Sequence, residues 1–173
     1  MIRHKDQFEL EIVHWPDPIL MTRCEPWDFE NPPEYMAAFL VPEMIKTMAI
    51  NRGIGLAANQ VGLSYRVMTM QVQRTGEFLA LFNPEVTHKS EHQWVEREGC
   101  LSFPSVELTI GRPAMVEVKF QDQTGAFHTR HFEDIDAKCV LHEIDHLDGK
   151  TFKEYVSELK YNMALKRAKK NGN

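Results

Sequence analysis

The sequence predicts an α+β fold, with mixed, mainly antiparallel strands wrapped around one central helix. Three observations predict it. Val116, Val118 and Phe120 alternate along Met115–Gln121 and are answered by Phe127–Phe132 across a turn at Gly125, which reads as a hairpin. Apolar residues recur at helical spacing before and after this region, over 34–52 and 157–170. Between them lies Val140-Leu-His-Glu-Ile-Asp-His-Leu-Asp-Gly149, a segment whose Leu141, Ile144 and Leu147 give a buried helix its apolar frame.

Taken in order, Glu9–His14 alternates weakly, Trp15-Pro-Asp-Pro18 is a turn, and Ile19-Leu20-Met21 is a short helical turn. Asn31-Pro32-Pro33 bounds a helix over 34–52 whose Met36, Phe39, Leu40, Met44, Ile45 and Met48 form a core stripe. Pro42 lies inside it and is expected to kink or restart it. Gly53-Ile-Gly-Leu-Ala-Ala-Asn-Gln-Val-Gly62 has three Gly and two Ala in ten residues, so its backbone passes close to something. A phosphate loop is a poor match, since the pattern lacks the third Gly and a Lys. Residues 66–72 and 78–82 read as strands joined by the Gln73–Gly76 turn, the second closed by Asn83-Pro84. Val86–Glu96 reads as a further strand, and Phe103-Pro104 as the end of the Glu98–Ser102 segment. Asp134 or Asp136 is expected to cap the central helix, and Gly149 to stop it. Ser157–Lys170 is a last helix with Leu159, Met163 and Leu165 on its apolar side.

A chain of 173 residues suits one domain, taken here as 1–173. Its net charge of -5 argues against general nucleic-acid binding but leaves room for one local basic contact. No apolar run reaches the length of a membrane span, and the N-terminal residues lack an apolar signal core. Cys24, Cys100 and Cys139 are too few and too irregular for a disulfide framework, so a reducing cytoplasm fits. Nothing specifies an oligomer, and a monomer is the reading.

Within the central segment, His142-Glu-Ile-Asp-His146 is H-E-x-x-H. On a helix, His142 and His146 fall on one face within reach of a single ion, with Glu143 beside them to take a proton from a water. Taken alone, the pattern competes with an ordinary solvated helix face. Two imidazoles also leave a zinc or iron ion short of protein ligands. Asp148 is too close on the same turn, and Glu154 and Glu158 have no helpful context. Cys100 is the stronger third candidate, because it follows a Gly at a strand end.

Three motifs now stand in order: Gly53-Ile-Gly-Leu-Ala-Ala-Asn-Gln60, Glu98-Gly-Cys-Leu-Ser102 and His142-Glu-Ile-Asp-His-Leu-Asp-Gly149. Together with Pro16-Asp-Pro-Ile-Leu20 they resemble the peptide deformylase family, over about residues 10 to 155. The resemblance implies a metal-dependent hydrolase that removes the formyl group from the initiator methionine of nascent chains. It implies a divalent ion on Cys100, His142 and His146, usually Fe2+, with Zn2+, Ni2+ or Co2+ able to replace it. Glu143 would be the general acid/base, and the Gln60 amide and Leu101 N–H the oxyanion donors. The backbone at Ile54, Gly55 and Gly99 would hold the N-formyl-Met peptide like an added strand, with Ile54 also walling the methionine pocket. Asp145 and Glu98 look supporting.

The chain departs from the family pattern at Leu141, where Gln is usual, at Lys138, in a stretch often apolar near the side-chain pocket, and at Pro42. Two rivals remain. A general zinc endopeptidase would cut internal bonds. A non-catalytic relative would dock at the ribosome through the basic Lys160–Lys170 stretch, which is first of all a solvated face and second a ribosome contact.

Overall fold

The computed structural model describes residues 10–33 and 37–171. Its elements are α1 (Ala37–Ile50), β1 (Gly55–Ala57), β2 (Val67–Gln71), β3 (Phe78–Lys89), β4 (Gln93–Cys100), β5 (Phe103–Pro113), β6 (Met115–Gln121), β7 (Phe127–Glu133), α2 (Asp134–Leu147) and α3 (Glu158–Asn171). Five strands form one antiparallel sheet in the order β1-β2-β3-β6-β7, and β4 pairs with β5 in a second. The expected α+β architecture is present, and every pairing between these strands is antiparallel.

The larger sheet sorts its side chains by the alternation that a pleated strand imposes. Met68, Met70, Leu81, Val116 and Val118 point to one face and pack on Val140, Leu141, Ile144 and Leu147 of α2. Leu56, Val67 and Phe82 point to the other, against Leu40, Val41, Met44 and Met48 of α1. A third cluster joins Val106, Leu108 and Ile110 of β5 to Phe152 and to Tyr161 and Ala164 of α3. The central helix is therefore buried on most of its surface, which fixes which way its polar side chains can face.

Several expectations are corrected. Glu34 and Met36 lie outside the described residues, as does Glu9, and residues 10–14 form no strand. α1 continues through Pro42, although the Ala38 carbonyl loses the N–H it would have received. Phe39 of the expected stripe is 69% exposed, and Val41 takes its place in the core. Asn83-Pro84 does not close β3. Asn83 adopts a φ of 49° at a bulge, and its side chain bonds the N–H and C=O of Trp27 and the Gln121 side chain, so pairing resumes beyond it. The segment 86–96 is two strands, the end of β3 and the start of β4, with a turn between them.

Phe103-Pro104 opens β5 rather than ending a segment. Neither Asp134 nor Asp136 caps α2: Glu133 stands at the cap without a side-chain bond, and Asp136 instead accepts the Gln73 N–H. The stop at Gly149 is as expected. Its φ is 71°, its N–H bonds the His146 carbonyl, and the Lys150 N–H bonds that of Asp145, which is a Schellman closure. In α3 the buried side is Tyr161 and Ala164, flanked by Leu165 and Ala168, while Leu159 and Met163 are exposed.

Candidate metal centre

Residues four apart on α2 bring His142 and His146 to one side, and the tip of the β4–β5 hairpin brings Cys100 to meet them. A register shift between Gly99 and Cys100 re-aims the cysteine at the end of its strand. Cys100 Sγ lies 3.2 Å from His146 Nε2, which lies 3.2 Å from His142 Nε2. All three donor atoms fall within 4.8 Å of one another. One sulfur and two imidazole nitrogens facing a common point match the donor set of a zinc or iron(II) site.

The surroundings prepare these atoms as ligands. His142 Nδ1 donates to Glu98 Oε1 at 2.6 Å, which leaves Nε2 with its lone pair toward the centre. Burial would raise the Glu98 carboxyl, but bonds from Arg112 and His142 overcome it and hold it at about 2. Burial keeps His146 well below the ordinary histidine range, which favours the neutral, ligand form of its imidazole. His146 is tethered through its backbone, where Asn59 Nδ2 donates to its carbonyl at 2.6 Å.

Glu143 sits beside the cluster, 4% exposed, and its Oε2 is buried with no hydrogen-bond partner among the described residues. Burial pushes its carboxyl up to about 7. Gly55 makes room for it: a Cβ there would collide with the Glu143 carboxylate and approach Cys139 Sγ to 2.7 Å. Gln60 is oriented from behind, since its Oε1 accepts the Ala57 N–H at 2.8 Å. Its Nε2 therefore turns toward Cys100 Sγ at 3.5 Å and Ser102 Oγ at 3.2 Å.

All nine residues singled out from the sequence lie at this place, with His146, 1% exposed, in the donor cluster but not on the groove lining. Ile54, Gly55, Gln60, Gly99, Cys100, Leu101, His142 and Glu143 line one groove of about 800 Å³. It runs between β1, an edge of the larger sheet, and the β4 edge. The Ile54 carbonyl is already taken by the Gln71 N–H and the Cys139 thiol, which narrows what its backbone can offer a ligand.

Arg112 was not anticipated. It is 2% exposed, grips both oxygens of Glu98 at 2.7 and 2.8 Å, and bonds Asp145 at 2.7 Å. Its signal lies in β5, where Val106, Leu108, Ile110 and Arg112 share the inward phase, so a cation falls at a core position. Arg112→Met should cost about 3–5 kcal/mol, because Glu98 would keep its charge in a buried site without its partner. Urea unfolding of the variant checks this, and a loss under about 1 kcal/mol would show the network to be dispensable.

The family model for polypeptide deformylase matches residues 9–162. A peptide deformylase of Bartonella henselae is 35% identical over 92% of this chain and 90% of its own length. Among solved structures, a peptide deformylase from Legionella pneumophila superposes with a TM-score of 0.86 at 32% identity, covering 95% of this chain and 96% of that one. A class I type b peptide deformylase from Acinetobacter baumannii, solved with Met-Ala-Ser bound, gives 0.78 at 29% identity, over 86% and 99%.

Proposed function

The chain belongs to the polypeptide deformylase family, and on that premise we propose how its residues divide the work. The enzyme is a metal-dependent hydrolase that removes the N-formyl group from formyl-methionyl ends of nascent polypeptides, releasing formate. Cys100, His142 and His146 hold the ion, which we assign as Fe2+, with Zn2+, Ni2+ or Co2+ able to take its place. When bound, a divalent ion acidifies a water and polarises the formyl oxygen. Glu143 accepts the proton of the attacking water and delivers it to the leaving amine. Gln60 Nε2 and the Leu101 N–H stabilise the oxyanion, the first preset by its bond to Ala57. The peptide lies along the edges at Ile54, Gly55 and Gly99, with the methionine side chain against Ile54.

The observation that carries this reading is the convergence of one thiol and two Nε2 atoms beside a buried carboxylate with a free oxygen. We assign the working compartment as the cytoplasm, where nascent chains leave the ribosome. We assign any ribosome contact to the basic Lys160–Lys170 stretch of α3, where Lys160, Lys166, Arg167, Lys169 and Lys170 are exposed. Among the described residues, no helix is long and apolar enough to cross a membrane.

Formate release from formyl-Met-Ala-Ser by protein purified without air tests the assignment. The acetyl equivalent should react at least roughly 10–200-fold more slowly, the discrimination one extra methyl permits in a tight pocket. The motivation is the cramped Gly/Ala stretch at 53–58, where even a Cβ on Gly55 would collide with Glu143. Equal rates on the two peptides would point to a broader amidase, and cleavage of internal bonds to an endopeptidase.

A further inference from the structure

Lys138 has no task in the mechanism above, yet it lines the same groove. It precedes His142 by four residues and His146 by eight, so the three share one face of α2. Ile54, against which the methionine side chain is placed above, is joined to the next residue of α2 by the Cys139 thiol, which donates to the Ile54 carbonyl at 3.4 Å, and Ile54, Cys139 and Lys138 all line the groove.

The lysine is unusual in being 3% exposed without an ion-pair partner among the described residues. Its Nζ donates to the Arg97 carbonyl at 2.6 Å and lies 5.6 Å from the centroid of the Trp94 ring. Glu98, the nearest buried carboxylate on the facing strand, is already engaged by Arg112 and His142. An ammonium has three donors, and the Arg97 carbonyl uses one. Burial lowers its pKa, as expected of a charge with incomplete solvation.

We propose that Lys138 is a specificity-determining residue of the first-side-chain pocket, favouring side chains that end in a hydrogen-bond acceptor over hydrocarbons of equal length. The inference rests on the reading of the site given above. A hydrocarbon tip packed on the ammonium removes its remaining solvation and returns nothing. A sulfoxide oxygen, as on an oxidised methionine, restores a charge-assisted bond. The thioether of methionine is a weak acceptor and falls between the two.

The test compares kcat/KM for formyl-Met-Ala-Ser, its methionine-sulfoxide form and its norleucine form, on the wild-type holoenzyme and on Lys138→Met. The wild type should prefer sulfoxide to norleucine by about 10–100-fold, the range of a hydrogen bond to a charged group. In Lys138→Met the order should reverse. Affinities of the corresponding deformylated peptides, by calorimetry, read the same pocket without turnover. They therefore separate a wrong role for Lys138 from a wrong reading of the reaction. An unchanged ratio in Lys138→Met, or a wild type that favours norleucine, overturns the proposal. Should the variant not fold, the wild-type ratios of turnover and affinity still decide it.

Discussion

Cys100→Ala is expected to lose bound metal and turnover together. Two imidazoles alone hold a divalent ion weakly, and the thiolate supplies both the third bond and the negative charge of the site. The sulfur stands 3.2 Å from His146 Nε2, so its removal opens the cluster on the side that faces the groove. The other two cysteines provide controls. Burial pushes the Cys24 thiol up to about 11, and burial likewise raises that of Cys139, so neither offers a thiolate at neutral pH. Cys24→Ala should keep metal and turnover, and Cys139→Ala should keep metal. Elemental analysis of protein purified without air, beside formate release on the same samples, reads both quantities. Full metal content in Cys100→Ala would show that another residue completes the ligand set.

The site was more legible in the sequence than the frame that supports it. His142, Glu143 and His146 are local: helical spacing alone sets their common side, and the apolar residues between them bury it. Cys100, Gln60 and Ile54 come from distant parts of the chain. Their meeting was available through the family motifs, not through periodicity. What was missed depends on tertiary context. Asn83 looks like a strand end until its side chain finds Trp27 and Gln121, which lets the strand pass through a bulge. Pro42 breaks a helix in isolation, but the buried Leu40, Val41, Met44, Thr47 and Met48 hold α1 against the core.

Arg112 is different, because its signal was present. The alternation Val106, Leu108, Ile110 marks a strand, and with it the inward phase on which an arginine falls. A cation at such a position requires buried carboxylates, and Glu98 and Asp145 were both already in view. The apolar side of α3 shows the reverse error. Leu159 and Met163 satisfy helical spacing, but β5 and Phe152 select the neighbouring face with Tyr161 and Ala164.

Glu143→Gln separates holding the ion from moving protons. Glutamine keeps the size of glutamate and loses the capacity to accept a proton, so metal should remain bound and the fold intact. Removing a positioned general base typically costs ~10²–10⁴ in rate, and the upper end is expected because the same group also protonates the leaving amine. Peptide affinity should change little, since the edges at Ile54 and Gly99 hold the backbone. The competing role is structural: a glutamate that braces α2 through a buried hydrogen bond predicts lost stability with modest loss of turnover. A brace uses its oxygens, whereas Oε2 of Glu143 is buried and unpartnered among the described residues. Metal content, melting temperature and turnover measured on one preparation distinguish the two. A folded, metal-loaded Glu143→Gln that retains about a tenth of normal turnover or more, far above the loss expected for a general base, would refute the proton-transfer role.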